Sequence, residues 1–466
     1  MHMTRKFFLT RVGALGAVAA LALTACGSQA TQNAQTNPST STSASATPAP
    51  ITEGKGAASR VAITYDGGVL VYDAKDMKLL ADIPKEGFLR LSDAGDNRHL
   101  VVADGNSYTF LDTGVWSVAH GDHSHYYTTA PSLSSLSLAA DHTGHVIKDN
   151  GRVAAFADGT GSFAVYDPAK LTHDKRTASS LETTTVTLPK PHHGFAIPLP
   201  DNQYLVAVGD SKTRTGAAVV DAQGKTVTES PACPGVHGEA IAKDGAFTIG
   251  CADGALIYKD GKFTKVTNPE DPYSRSGNQA GKADSQYVLA DYKTDKDAKL
   301  ERPEKFSIID TVAATRTVYS LPSGVSYTFR SLARGPQGEA LLLTTDGKLR
   351  VFNPATGAEL GSVQLMEAWT ESETWQDEHP ALWVDGKTAY VTDPATKKLI
   401  AVSLSNPAAP KELMSVELPK TPNEILGVSS SNAAPVEAES HGTEAHGSAS
   451  SSASADAHES GESHSH

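Results

Sequence analysis

Short apolar runs alternate with polar turns from about residue 56 to residue 428, and no segment sustains a helical period for long. One unit recurs, in which two apolar strands flank a polar turn, usually Asp-Gly and in the last copy Asp-Pro-Ala-Thr-Lys-Lys. Its clearest copies begin at Val153, Gly245, Ala340 and Thr388. Repeats of about 40 to 50 residues with four short strands each are typical of β-propeller blades. The pattern therefore predicts an all-β propeller.

The repeats also suggest how many blades there are. The first strands of eight units can be placed at Leu89, His145, Gly194, Gly238, near Lys282, and at Ser331, Ala381 and Ile425. We expect eight four-stranded blades, the last completed by the amino-terminal strands between Val61 and Ile83, which closes the ring and removes free sheet edges. Seven blades are the alternative, because the strands between Ser274 and Leu321 are poorly marked.

The amino terminus predicts export. Basic residues precede an apolar run at residues 12–23 that is too short for an ordinary membrane span, so residues 1–25 are predicted to be a signal peptide. The run ends in Leu-Thr-Ala-Cys, which resembles a bacterial lipobox and predicts lipidation of Cys26. Residues 26–55 are rich in Ser, Thr and Pro and predict a disordered stalk. We expect an extracytoplasmic lipoprotein anchored to the cell membrane, with the propeller at residues 56–430.

Charge and cysteine content narrow the picture further. Lys and Arg number 40 against 53 Asp and Glu, and the formal net charge of -13 argues against a nucleic-acid partner. Once Cys26 is assigned to a lipid, Cys233 and Cys251 are left as a pair, for which a disulfide is the default in an oxidising compartment. A metal-binding role for these two cysteines is the alternative, although their spacing is unlike a zinc ribbon.

Histidines supply the candidate chemistry. His120, His123 and His125 lie with Asp122 in a polar segment inserted between the third strand of one blade and the start of the next. Neutral imidazoles on a short adaptable segment suit Zn2+. We expect this segment to reach over the mouth of the propeller channel; a solvent-exposed loop without function is the alternative.

A second set of histidines occurs in phase with the repeat, just before the first strands of four units. They are His145, His193, His237 and His379. In a propeller such positions converge on one mouth of the central channel, so these side chains predict a metal site; hydrogen bonding to the next blade is the alternative. Asp122, Glu239 and Glu378 are candidate carboxylate ligands or hydrogen-bond partners of the histidines. The tail, residues 431–466, is predicted to be disordered and is also His-rich, which suits weak metal capture.

The chain resembles the AztD zinc metallochaperones, which are exported β-propellers. The resemblance runs from about residue 60 to residue 428. It is carried by His-Gly-Asp-His-Ser-His from residue 120, Gly-His-Val from 144, Phe-Ala-Asp-Gly-Thr-Gly from 156, His-His-Gly from 192, Cys-Pro-Gly-Val-His-Gly from 233 and Trp-Gln-Asp-Glu-His-Pro from 375. It implies a non-enzymatic protein that binds Zn2+ and passes it to the solute-binding protein of a zinc ABC importer. It also implies a mobile His-rich segment at His120, His123 and His125. We expect a monomer.

Two other functions are compatible with the sequence. Propellers also house metal-dependent hydrolases and lactonases, and Glu239 or Glu378 could serve as the general base. A non-catalytic scaffold that binds another protein across one propeller face is the second alternative, with the histidines purely structural.

Overall fold

The computed structural model describes residues 49–268 and 270–432, which form strands joined by turns. Helical structure in this part of the chain is limited to five short 3-10 segments, at Pro168–Leu171, Pro200–Asn202, Lys243–Gly245, Phe329–Ser331 and Ser430–Asn432. Within the same residues no helix has the length and apolar character to span a membrane. The predicted signal peptide, Cys26, most of the stalk and the tail from residue 433 lie outside the described residues, so what is expected of them stays a prediction.

The first half of the propeller contains an insertion as well as blade strands. The strands are β1 (Thr52–Gly54), β2 (Ser59–Tyr65), β3 (Gly68–Asp73), β4 (Leu79–Pro84), β5 (Arg90–Asp93), β6 (His99–Ala103), β7 (Ser107–Asp112), β8 (Val115–His120), β9 (His123–Thr128), β10 (Ser132–Ala139), β11 (Thr143–Asp149), β12 (Arg152–Ala157), β13 (Ser162–Tyr166), β14 (Thr172–His173), β15 (Arg176–Thr177) and β16 (Thr184–Thr187). The predicted stalk reaches residue 55, whereas β1 already forms at residue 52 because it pairs with β9.

The second half is more regular. Its strands are β17 (Ala196–Leu199), β18 (Gln203–Gly209), β19 (Arg214–Val220), β20 (Thr226–Ser230), β21 (Glu239–Ile241), β22 (Phe247–Cys251), β23 (Gly254–Lys259), β24 (Lys262–Val266), β25 (Gln279–Ala280), β26 (Tyr287–Asp291), β27 (Lys305–Asp310), β28 (Thr315–Ser320), β29 (Leu332–Arg334), β30 (Ala340–Leu343), β31 (Lys348–Phe352), β32 (Glu359–Gln364), β33 (Ala381–Asp385), β34 (Thr388–Asp393), β35 (Lys398–Ser403), β36 (Lys411–Glu417) and β37 (Ile425–Ser429).

The described strands make eight four-stranded antiparallel sheets. In each of the six sheets that follow the insertion, the strands pair in sequence order, from β11–β12–β13–β16 to β33–β34–β35–β36. The sheet before them has the order β5–β6–β7–β10, because β8 and β9 leave it as a separate hairpin. The remaining sheet, β37–β2–β3–β4, joins the two ends of the propeller, with Ile425 opposite Ile63 and Ser429 opposite Ser59.

Eight apolar clusters hold the sheets together, and each cluster is shared by two neighbouring sheets. One of them packs Val61 and Leu70 against Tyr390 and Leu399, and so seals the sheet that contains both chain ends against the sheet before it. Inner strands such as β2 are buried on both faces and read as continuous apolar runs, whereas the outermost strand β4 alternates with solvent. The sheets therefore follow one another around a closed ring, and the predicted all-β propeller is confirmed.

Candidate metal centres

Three histidines meet at the end of the ring where the first strands of the blades begin. His145 lies in β11, and His193 and His237 precede β17 and β21. Their ring centroids are 5.2 to 5.9 Å apart. One ligand nitrogen from each lies within 4.8 Å of the other two. The repeat therefore brings together three imidazoles that are distant in sequence; we call them the mouth histidines.

Each mouth histidine is oriented by an acceptor at its Nδ1 atom. The Nδ1 of His145 contacts a carboxylate oxygen of Glu239 at 3.1 Å, and the Nδ1 of His193 contacts Asp158 at 2.6 Å. The Nδ1 of His237 donates to the carbonyl oxygen of Gly277 at 2.6 Å. An acceptor at Nδ1 fixes the proton there and leaves the Nε2 lone pair for a metal, as in known metal sites. Each mouth histidine thus keeps its Nε2 atom for a metal.

The surroundings change the proton affinity of two of these side chains in opposite directions. Burial alone would lower the pKa of His145, but the Glu239 carboxylate outweighs it, so this pKa is raised. Burial lowers the pKa of His237 well below its ordinary value, and the neighbouring charges of His145 and Arg275 add to that effect. His237 is therefore held in the neutral form that binds metal, while His145 retains a proton more readily.

His237 is held in place by the loop that precedes β21. Cys233 and Cys251 are fully buried and form a disulfide that ties this loop to the end of β22. The backbone N–H of His237 donates to the carbonyl of Gly250 at 3.0 Å. Gly238 has a φ of 76°, and a side chain there would bring its Cβ to 2.4 Å from the carbonyl oxygen of Gly277. Glycine at this position therefore lets the loop approach the very carbonyl that accepts from His237.

A second histidine group lies at the tip of the hairpin formed by β8 and β9. His120 is the register partner of His123 across a two-residue turn, in which Gly121 has a φ of 60°. His125 is two residues beyond His123, so it lies on the same face of its strand. We call these three residues the hairpin histidines; two of them are exposed and His125 is half-buried.

Two of the nitrogen–nitrogen distances among the hairpin histidines already match a tetrahedral metal. The Nε2 of His125 is 3.3 Å from the Nε2 of His123 and 3.3 Å from the Nδ1 of His120. Nitrogens bound to tetrahedral zinc at about 2.0–2.1 Å are separated by roughly 3.3 Å. The Nδ1 of His125 contacts Glu53 of β1 at 2.7 Å, and that of His123 contacts Asp122 at 3.2 Å. Two of the three hairpin histidines therefore also have a carboxylate partner.

The hairpin does not lie over the mouth. Arg90 is the first residue of β5 and lines the mouth cavity, so this end of the sheet lies at the mouth. At the opposite end of the sheet, His99 at the start of β6 pairs with Asp112 at the end of β7. The hairpin leaves from this second end, where Trp116 of β8 stacks against the guanidinium of Arg98 at 4.1 Å. Its root is therefore at the end of the sheet opposite the mouth, and the prediction that the segment reaches over the mouth is wrong. The register explains this, because an odd number of blade strands precedes the insertion.

His379 and Glu378 do not join either group. His379 is buried, its Nδ1 donates to the carbonyl of Asp377 at 2.6 Å, and it lies 3.3 Å from Arg330. Burial lowers its pKa, and the charge on Arg330 lowers it further. Glu378 lines a separate small pocket beside Asn423. The in-phase pattern thus indicated a shared position before the first strand, but in this blade the histidine contacts the buried guanidinium of Arg330 and is not part of the mouth group.

Sequence reasoning missed three of the partners. Asp158 belongs to the Ala-Asp-Gly-Thr-Gly turn, and Gly277 contributes only a backbone oxygen, for which no sequence signal exists. Glu53 lies in the segment that was expected to be disordered. A signal was present for Asp158, because it follows an inner strand one blade before His193.

Comparisons with known proteins show which proteins this chain is similar to. No family model matches the chain. The zinc chaperone AztD of Citrobacter koseri is 27% identical over 390 residues, which cover 81% of this chain and 87% of that protein. Its crystal structure superposes with a TM-score of 0.69 at 25% identity, over 80% of this chain and 98% of that one. The structure of apo AztD gives 0.68 at the same identity and coverage.

A more distant neighbour shares the fold alone. The dihydro-heme d1 dehydrogenase NirN superposes with a TM-score of 0.50 at 13% identity, over 79% of this chain and 74% of that one. The match to AztD is closer in both sequence and structure, and it spans nearly all of that protein. The chain is thus a homologue of the zinc chaperone AztD, and the resemblance predicted from its sequence is confirmed.

Proposed function

We propose that this protein is an extracytoplasmic zinc metallochaperone, anchored through Cys26, that takes up Zn2+ at the mouth histidines and at the hairpin histidines. It then transfers the metal to the solute-binding protein of a zinc ABC importer. The observation that carries the proposal is the presence of two separate three-histidine groups in a homologue of AztD.

The ligand chemistry supports a carrier. Three neutral imidazoles bind Zn2+ without thiolates, so the metal can leave by stepwise exchange with imidazoles or carboxylates of an acceptor. The mouth nitrogens lie within 4.8 Å of each other, and they must move closer together to reach the spacing of roughly 3.3 Å on tetrahedral zinc. Two of the nitrogen–nitrogen distances in the hairpin group are already 3.3 Å, and the exposure of His120 and His123 makes the group accessible to a second protein.

Hydrolysis is less well supported by the same geometry. A zinc hydrolase needs a general base beside the metal-bound water. Glu239 lies on the Nδ1 side of His145, behind the ligand as seen from the metal, and Glu378 does not line the mouth cavity. The positions of both carboxylates therefore favour binding over catalysis.

Two matched triple variants test the proposal. In one, His145, His193 and His237 are replaced by glutamine; in the other, the three hairpin histidines are replaced in the same way. We expect the mouth variant to lose its tightest zinc site in a chelator-competition titration. We expect the hairpin variant to slow zinc transfer to the solute-binding protein. Glutamine keeps the approximate size and the polarity of the histidine side chain, so we expect both triple variants to keep the fold.

Unchanged zinc affinity and unchanged transfer in both triple variants would reject the proposal. Hydrolysis of ester or lactone substrates by the zinc-loaded protein, abolished in the mouth variant, would instead favour the enzyme alternative. A protein that transfers zinc but catalyses neither reaction agrees with a chaperone.

A further inference from the structure

The mouth cavity contains cations as well as histidines. It has a volume of about 410 Å³ and is lined by Arg90, Arg275 and Lys293 besides the mouth histidines. Arg275 and Lys293 face each other in an isolated antiparallel bridge, with backbone hydrogen bonds of 2.8 and 3.1 Å. Residues directly opposite in such a pair present their side chains to the same face, and like charges so placed repel each other. The backbone therefore holds two positive charges side by side at the cavity.

Among the described residues, no carboxylate lies within ion-pair distance of either cation. Arg275 donates to the carbonyl of Gly235 at 3.0 Å, and within residues 49–268 and 270–432 neither it nor Lys293 forms an ion pair. Asp291 also lines the cavity, but it accepts from the N–H of Gly277 at 2.6 Å and from the side-chain amide of Asn278 at 2.9 Å. The two cations are therefore available to an anion from outside.

Burial raises the pKa of Glu371, a further carboxyl that lines the cavity. The charge of Lys293 opposes that rise, but no oxygen of Glu371 joins the group of three ligand nitrogens. Among the described residues no carboxylate completes the donor set of the mouth histidines. Tetrahedral zinc held by three imidazoles keeps a fourth position for a ligand from solution or from a partner.

The cations lie beside the metal-facing side chains. Arg90, Arg275 and Lys293 line the same cavity as the mouth histidines. Positive charges in that cavity repel a divalent cation held between the imidazoles, unless an anion enters with the metal.

We propose that the mouth binds its metal together with a carboxylate, which takes the fourth coordination position and is held by Arg275 and Lys293. This rests on the proposed function, because it presumes a metal at the mouth histidines. A carboxylate fits both requirements: its oxygen is an ordinary zinc ligand, and its two oxygens match a guanidinium. The same group can come from a small organic acid or from an acidic side chain of another protein.

The test measures Co2+ binding to the full chain by visible absorption. The spectrum of the H193Q variant is subtracted, which removes the absorption of Co2+ bound at histidines outside the mouth. We expect saturating acetate to tighten Co2+ binding at the mouth roughly tenfold and to change the ligand-field bands. R275Q and K293Q lose this enhancement, which is measured within each variant as the ratio of its Co2+ affinities with and without acetate. K296Q is the matched control, because Lys296 is an exposed lysine of the same segment that does not line the cavity; it keeps the enhancement.

Two results would overturn the inference. One is Co2+ binding in the unsubstituted protein that is indifferent to acetate; the other is an enhancement that survives unchanged in both R275Q and K293Q. An equal enhancement by chloride or inorganic phosphate would also count against it, because the site would then select charge and not a carboxylate. If H193Q does not alter Co2+ binding at all, the mouth site of the proposed function fails instead.

A pair of short peptides distinguishes the two sources of the carboxylate. One carries a single central glutamate and the other carries glutamine at the same place. Enhancement by the glutamate peptide at concentrations well below those needed for acetate identifies a protein-borne ligand, to which the half-exposed Trp375 at the rim adds apolar contact. Equal potency of acetate and the glutamate peptide identifies a small acid. Either result supports the carboxylate.

Discussion

The substitution Asp158→Asn tests whether the acceptors at Nδ1 prepare the mouth histidines for metal. Asp158 contacts the Nδ1 of His193 at 2.6 Å, and asparagine can still accept there through its side-chain oxygen. The substitution therefore keeps the shape and the hydrogen bond but removes the negative charge. Any effect on zinc affinity then reports the charge on the partner and not a lost contact.

The expected magnitude follows from the exposure of the pair. Loss of a partner of a metal-bound histidine costs about 10- to 100-fold in affinity, which is about 1.4 to 2.8 kcal/mol. The side chain of Asp158 is 20% exposed and that of His193 is 41% exposed, so solvent screens the charge. Since the neutral hydrogen bond also remains, we expect the low end, a loss of about tenfold in zinc affinity.

The measurement is a zinc titration in competition with a chromophoric chelator, accompanied by thermal unfolding to verify the fold. Asp141→Asn is the matched control, because Asp141 contacts the Nδ1 of His142 at 2.7 Å in the neighbouring turn, yet His142 belongs to neither histidine group. Asp141→Asn should leave zinc affinity unchanged. Equal affinities for Asp158→Asn and the unsubstituted protein, or equal losses in both variants, would refute the reasoning.

Other predictions concern stability and pH. Replacing Cys233 and Cys251 by alanine should cost about 3 kcal/mol of unfolding free energy in a urea titration, since the bond closes a loop of 18 residues. Asp112→Asn should cost about 3 to 5 kcal/mol in the same assay, because it removes the negative charge that compensates the buried guanidinium of Arg98, 2.6 Å away. Burial would raise the pKa of Asp112, but Arg98 outweighs it and the pKa is lowered; thermal unfolding should therefore show stability that is present above about pH 4 and is lost as pH falls further. Zinc affinity at the mouth should weaken in competition titrations as the pH falls, and the loss should begin above about pH 6.5, the ordinary histidine value, because the Glu239 carboxylate raises the pKa of His145.

The fold could be predicted because its signal is repeated. The apolar strands and Asp-Gly turns recur at a regular spacing, and the predicted starts at Ala381 and Ile425 coincide with the first residues of β33 and β37. The weakly marked blade is also accounted for: its first strand, β25, has only two residues, so it carries almost no alternation for a pattern to detect.

The site could be predicted only in part. His145, His193 and His237 could be predicted to lie together because each occupies the same position in its repeat. In a propeller, residues at the same position of successive blades lie in one circle around the channel. The position within the repeat could not show that His379, at the same place in another blade, lies against the buried side chain of Arg330. Nor could it give the acceptors, since Gly277 acts through its backbone and Glu53 reaches the hairpin only through a pairing of distant strands.

The direction of the hairpin has a consequence for how metal moves. An insertion after the third strand of a blade departs from the end opposite to the starts of the first strands, since each antiparallel strand reverses the direction of the chain. The hairpin is therefore rooted at the end of the ring opposite the mouth histidines. Under the proposed function, each group would then meet its donor or acceptor from its own end of the ring, and a protein that uses both would have two routes for zinc.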